Sequence, residues 1–177
     1  SSEQVSLAFA HIVCESGRTI DHAYFPVDCF ISLLGTLEDG SRVEVGMVGR
    51  EGMFSMDLVL GMERSGVLAI VQGAGEALRI PAATFRQQIK DNPDLRLHMN
   101  RYVAVLVAQL TRTAACNGFH LIEPRLARWL LMCDDRSVAG TIHLTHRFLA
   151  YMLGVRRAGL PAPPGVPEGP PDRPGPR

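Results

Sequence analysis

The chain has 177 residues, is 46% hydrophobic and 20% charged, and carries 18 basic against 18 acidic side chains, a net charge of zero. This length admits one mid-sized domain, or one with a small appendage, and the charge balance excludes a polyelectrolyte, so any nucleic-acid contact must come from a local basic patch. No apolar run reaches the roughly 18 to 20 residues of a membrane helix, and "SSEQVSLAFAHIVCESG" lacks a basic n-region and a continuous apolar block, so neither a membrane partner nor a signal peptide is expected and the reading is cytoplasmic.

The first eighty-odd residues read as β-structure. Val5, Leu7 and Phe9 alternate with small or polar neighbours, "ESG" is a turn, and "FISLLGTL" and "RVEVGMV" flank "EDGS", whose Asp39-Gly40 pair predicts a hairpin. "GVLAIVQG" and "GEALRIP" add two short strands around Gly73 and Gly75, and Pro81 closes the run. Short strands punctuated by glycine predict a small barrel or roll.

The period then changes. "TFRQQIK" gives one or two helical turns, and a long helix follows with Asn92 as N-cap, Pro93 in its first position, Asp94 in its first turn and Asn117-Gly118 as its stop. From Asp94 to Cys116 it would run about 35 Å. Its middle, "YVAVLVAQL", is apolar nearly all round, so it needs cover on every side. The roll can cover one side; a second copy of the same helix is the simplest cover for the other, which predicts a homodimer.

"IEPRLARWLLMC" carries Leu126, Trp129, Leu130 and Cys133 at i, i+3, i+4 and i+7, with Pro124 in a position suited to a helix start. "GTIHL" reads as a strand, and Thr145 caps a further helix, "HRFLAYMLG". There Ala150 precedes Gly154 by four positions, Val155 follows, and Leu160 lies six beyond the glycine. This is the spacing of a helix-turn-helix: a small residue where helices approach, a glycine at the turn and apolar positions that hold the pair. A helix that simply ends at a glycine would show part of the same pattern.

Cys14, Cys29, Cys116 and Cys133 are too far apart for a C-x-x-C or zinc-finger spacing, and the histidines are scattered. No metal and no catalytic residue is expected, since no nucleophile-elbow, zincin or phosphate-loop pattern is present.

Taken together, "DHAYFP", "SLLGTLEDGSRVEVGMVGREGM", "ALRIPAATF", "CNGFHLIEPRLARWLLM" and "LTHRFLAYMLGVRRAG", in that order, give a sequence that resembles the Crp/Fnr family of bacterial transcription regulators from about Val5 to Gly159. The resemblance implies an α+β architecture: a β-roll of the cyclic-nucleotide-binding jelly-roll type over residues 1–90, a dimerisation helix over 91–117, and a winged helix-turn-helix, here incomplete, over 118–160. It implies a homodimer that senses a small-molecule effector through the roll and reads DNA through the helix-turn-helix.

By the same resemblance, Thr145 and His146 stand where the first helix of the motif meets DNA phosphate, and Arg156 and Arg157 open the recognition helix, with Arg157 at a base-reading position. Members that bind a cyclic nucleotide use a Gly-Glu-x-Gly segment and a later Arg-Ser or Arg-Thr. Here "GREGM" supplies Gly49, Glu51 and Gly52, and "ERSG" supplies Arg64 and Ser65. Arg50 interrupts the first segment and the spacing to Arg64 is longer, so a cyclic nucleotide is not favoured over a different effector or none; the cysteine spacing also speaks against an iron-sulfur sensor. The cofactor is therefore left unknown.

The last 18 residues, 160–177, contain 8 prolines and 3 glycines, against 4 prolines in all that precedes them. A recognition helix starting near Arg156 meets Pro161 within about two turns, and Pro163 and Pro164 soon after; each costs about 3 kcal/mol in a helix interior. The segment 161–177 is expected to be disordered or polyproline-like. Since 17 of the 18 basic residues are arginine and out-of-frame GC-rich codons encode Pro, Gly, Arg and Ala, an interruption of the reading frame after "VRRAG" is the favoured explanation; the resemblance further implies an incomplete N-terminus, without the helix and first strands that usually precede "VSLAF". Two functions follow: a Crp/Fnr-type DNA-binding regulator, or a dimerising, ligand-sensing module that has lost specific DNA binding.

Overall fold

A computed structural model describes residues 1–138, 149 and 152–154. Among the described residues, seven strands form two antiparallel sheets: β1 (Glu3–Leu7), β7 (Gly75–Pro81) and β3 (His22–Pro26) in the order β1-β7-β3, and β2 (Ile12–Cys14), β6 (Leu68–Gly73), β4 (Phe30–Thr36) and β5 (Arg42–Val48) in the order β2-β6-β4-β5. Strands distant in sequence are neighbours, as a roll requires: β1 pairs with β7 from Glu3↔Arg79 to Leu7↔Gly75. The expected β4–β5 hairpin is present, with Gly40 at φ 80° in its turn and Leu37 donating to Ser41 O at 2.9 Å. Phe9, expected in the first strand, lies in the turn that follows it.

Strand β4 is buried on both faces, which explains why "FISLL" lacks a polar-apolar alternation. Ile31 and Leu33 point into the roll with Val71 and Ala77, whereas Phe30 and Leu34 point outward into a second cluster with Met47 and Leu68. That outer cluster is closed by helix α4 (Ile122–Asp134), whose predicted stripe supplies Trp129 and Cys133 at its buried centre. The four-stranded sheet is thus the middle layer between the roll interior and α4.

A single turn, α1 (Met56–Val59), and α2 (Ala82–Asp91) close the end of the roll over Ile20, Ala23 and Met53. Helix α3 (Pro93–Phe119) starts as expected: the Asn92 side chain accepts from the amides of Asp94 (3.1 Å) and Leu95 (3.0 Å), with Pro93 in the first position. It ends later than expected. The helix passes through Asn117 and Gly118, and the His120 amide still bonds Cys116 O at 3.0 Å. Glycine without a positive φ costs only about 1 kcal/mol in a helix, and the continuing backbone bonds outweigh it.

Helix α3 buries Val103, Leu106, Thr113 and Cys116, while Leu97, Ala104, Val105 and Ala108, one face at helical spacing, are exposed. The roll covers one side only. Pro124 falls in the first turn of α4, which begins two residues earlier, where its missing N–H has no helical partner to lose. All four cysteines are free thiols, and three are buried. The expected strand "GTIHL" and the proline-rich segment 161–177 lie outside the described residues, and of the helix expected from Thr145 only Leu149, Met152 and Leu153, all helical, and Gly154 are described.

Candidate functional site

The chain leaves β5 at Val48 and turns sharply, with the Gly52 amide donating to Gly49 O at 3.1 Å. Within this turn the Glu51 carboxylate folds back to accept from the Gly49 amide at 3.1 Å. It also receives the Arg136 guanidinium from just beyond α4, Nε at 2.9 Å and Nη2 at 2.6 Å. Arg136 is fixed further by donating Nη1 to Met132 O at 3.0 Å. The side chain of Arg136 is 12% exposed and that of Glu51 39%, so the pair lies half-buried in the seam between roll and α4.

The two glycines of the turn have separate physical reasons. At Gly52 a Cβ would fall inside the ring of Tyr102, whose hydroxyl donates to Met53 O at 3.2 Å. At Gly49 a Cβ would stand 2.8 Å from Cγ of Arg136. Burial, and then the Glu51 charge, push the Tyr102 hydroxyl well above its ordinary titration range, so it acts as a neutral donor.

Arg64 and Ser65 belong to a different contact set. Arg64 reaches Gly17 O at 2.8 Å from an exposed position, and its backbone forms a bridge with Thr19. Ser65 is buried, caps the start of β6 through Val67 O at 2.9 Å, and exchanges backbone bonds with Gly17 and Arg18. Of the five expected effector residues, the turn therefore gathers Gly49, Glu51 and Gly52, while Arg64 and Ser65 fasten the loop after β2.

Between the turn and α3 lies a narrow cavity lined by Val48, Met53, Phe54, Val67 and Leu106, with space for one water molecule at most. Its polar lining is Ser55 and Asp57. Burial raises the Asp57 carboxyl above its ordinary range. Among the described residues no cation lines this space, so it offers a phosphate neither charge nor volume.

A second carboxylate joins the roll to α4. Glu44 of β5 is buried on the outward face of the sheet, where Ser32 Oγ donates to it at 2.7 Å and Trp129 Nε1 at 3.1 Å. Burial pushes its carboxyl up to about 7, against the opposing effects of the Ser32 and Trp129 hydrogen bonds and of Arg136 and Arg128. The Gln72 amide completes the polar cluster, with Oε1 3.4 Å from Ser32 Oγ. Next to it, Arg125 bonds both Asn117 Oδ1 (3.1 Å) and the carbonyl of Leu153. Met152 and Leu153 are buried, and Gly154, at φ 60°, rests against Val43.

Sequence reasoning did not find Glu44, Tyr102 or Arg136. A heptad-like stripe on α4 signals that some surface must lie beneath it, but nothing local marks the outward face of β5 as that surface. The expected DNA-contacting residues Thr145, His146, Arg156 and Arg157 lie outside the described residues.

Residues 4–92 match the family described as cyclic nucleotide-binding domain. Among solved structures, the chain is similar to the c-di-GMP responsive global regulator CLP of Xanthomonas campestris, at 16% identity and a TM-score of 0.69 over 89% of this chain and 82% of that one. It is similar to FixK2 of Bradyrhizobium japonicum at 16% identity, with a TM-score of 0.70 over 89% and 80%. A CRP/FNR-family transcriptional regulator of Thermus thermophilus aligns at 21% identity, with a TM-score of 0.66 over 88% and 80%. No curated protein sequence matches the chain at a significant level. Among the described residues no helix is long and apolar enough to cross a membrane.

Proposed function

The chain belongs to the cyclic nucleotide-binding domain family, and from that premise we propose that it is a transcription regulator of the Crp/Fnr type, a homodimer that senses through its roll and contacts DNA through residues that follow α4. One observation carries this reading: a long helix covered by the roll on one face and bare on the other is followed by α4, docked on the same roll, with "LTHRFLAYMLGVRRAG" later in the sequence. The shared fold of the Xanthomonas, Bradyrhizobium and Thermus regulators supports it.

The proposed DNA contacts are Thr145 and His146 to phosphate and Arg156 and Arg157 to bases. The proposed sensing element is the turn of Gly49, Glu51 and Gly52. Arg64 and Ser65 have a structural role in this reading. A cyclic nucleotide is disfavoured as effector: Glu51 is engaged by Arg136 and Arg64 by Gly17, and the adjacent cavity is apolar and narrow.

The test is a titration of duplex DNA against salt. Nanomolar, sequence-dependent binding with a steep salt slope, weakened by Arg157→Ala, supports the regulator. Weak, sequence-blind binding indifferent to that substitution supports the second reading, a dimerising sensing module without specific DNA binding. That alternative comes from Pro161, Pro163 and Pro164, so soon after Arg157 in the sequence.

A further inference from the structure

The Glu51–Arg136 pair spans 85 positions of sequence and joins two elements that no backbone hydrogen bond connects: the turn after β5 and the exit of α4. We propose that Arg136 is an internal ligand of this turn, and that its guanidinium, by holding Glu51, latches the end of α4 to the roll in a contact that can be released. Its regulatory consequence rests on the sensing role proposed for the turn; the latch itself stands on the geometry and is tested without an effector.

Three features make the contact a latch rather than an incidental surface pair. The arginine brings two nitrogens, Nε and Nη2, to the single oxygen Oε1 of Glu51, and is itself largely buried and held by its bond to Met132 O. Glu51 is folded inward, accepting from the Gly49 amide, so the same carboxylate sets the conformation of the turn and receives α4. Gly49 has no side chain where the Arg136 stem passes, and any Cβ there would crowd it.

The contact is also releasable. Glu51 remains more than a third exposed, so a hydrogen-bond donor from solvent can reach the carboxylate and compete with the guanidinium. The neighbouring attachment of α4, through Trp129 on Glu44, is closed to solvent. Release at Glu51 would therefore free the last turn of α4 first, with the Trp129 contact as the pivot. Residues 137 onward follow directly from this last turn, so its freedom governs how the segment beyond α4 is presented.

The charges around the pair agree with this assignment. Arg136 faces Glu51 directly and the buried Glu44 at longer range, and Tyr102, packed over Gly52, feels both Glu51 and Arg136. Moving the guanidinium thus alters the turn, the roll surface under α4 and the α3 side chain nearest the turn together.

The experiment is amide hydrogen exchange on the full chain with Glu51→Gln, Arg136→Gln, the double variant and Gly49→Ala. Exchange of residues 49–54 and 130–136 should rise about fivefold in each single variant, as expected on losing one well-ordered ion pair. The double variant should be no worse than either single, and β4 and β6 should stay protected throughout. Additive effects of the two singles, unchanged exchange at the α4 exit, or loss of protection spread equally over β4 and β6 would each overturn the latch. Failure of the DNA titration would leave these results untouched, so the two readings fail separately.

Discussion

The side-chain amide of Gln109 closes both main-chain hydrogen bonds of Met47, accepting from its N–H at 2.7 Å and donating to its C=O at 3.1 Å. Met47 lies on β5, the edge of the four-stranded sheet, and Gln109 on α3 acts there as a substitute for the next strand. Through this contact the long helix is held in register with the strand that leads to the turn of Gly49, Glu51 and Gly52, at a place where Gly46 leaves room for Leu110 and Gln109.

Gln109→Leu keeps the bulk but strands both backbone groups of Met47, and should cost about 2 kcal/mol. Gln109→Glu can still accept but no longer donates, and sets a charge against the Met47 carbonyl, so it should be at least as damaging. Urea unfolding of the three proteins decides; equal midpoints would mean that water replaces the amide without loss.

Gly52→Ala should be among the most disruptive single-methyl changes in the chain, because the added carbon overlaps the Tyr102 ring rather than the end of a flexible side chain. Tyr102→Phe should cost only about 1 kcal/mol, the bond to Met53 O. Tyr102→Ala combined with Gly52→Ala should recover part of the loss caused by the glycine substitution, a coupling that a thermal-unfolding double-mutant cycle reads directly.

Glu44 makes stability depend on pH with a definite sign. Its folded carboxyl titrates near 7, above the 4.5 of an unperturbed glutamate, so the folded state holds the proton more tightly than the unfolded chain. Protonation therefore stabilises fully below about 4.5, and this contribution is lost as pH rises through about 7, on the order of 3 kcal/mol in all. Ser32, Trp129, Arg128 and Arg136 favour the ionised form and desolvation opposes it. Glu44→Gln should match the parent near pH 4 and exceed it at pH 8, followed by the emission of Trp129, the only tryptophan. A stability difference that stays constant with pH would contradict this account.

Val105 is 64% exposed on the bare face of α3. If this face is the homodimer seam, Val105→Glu buries a charge against its own copy and should drive the mass seen by light scattering toward that of one chain, while the roll keeps its unfolding midpoint. An unchanged mass would move the seam elsewhere.

Features whose physics is local could be read directly from the residues. Asp39-Gly40 specifies its turn through backbone conformation, and Asn92 with Pro93 specifies a helix start through two amides adjacent in sequence. The stripe of Leu126, Trp129, Leu130 and Cys133 showed in the same way that α4 has one face to bury. A lone glycine is a weaker signal, and Gly118 misled because the helix beyond it keeps its bonds.

The site was only half legible. Gly49, Glu51 and Gly52 could be picked out by type and spacing, yet the side chain that takes Glu51 comes from Arg136, and Arg64, matched by motif, turns to Gly17 instead. The amino-acid order by itself determined which segments became strands, caps and an amphipathic helix, because those choices rest on neighbours within a few residues. Only the tertiary structure decided that an arginine beyond α4 answers a carboxylate of the roll and that a glutamate of β5 is buried beneath a tryptophan. Coulombic attraction and desolvation depend on distance in space, and a separation of 85 positions along the chain carries no trace of it.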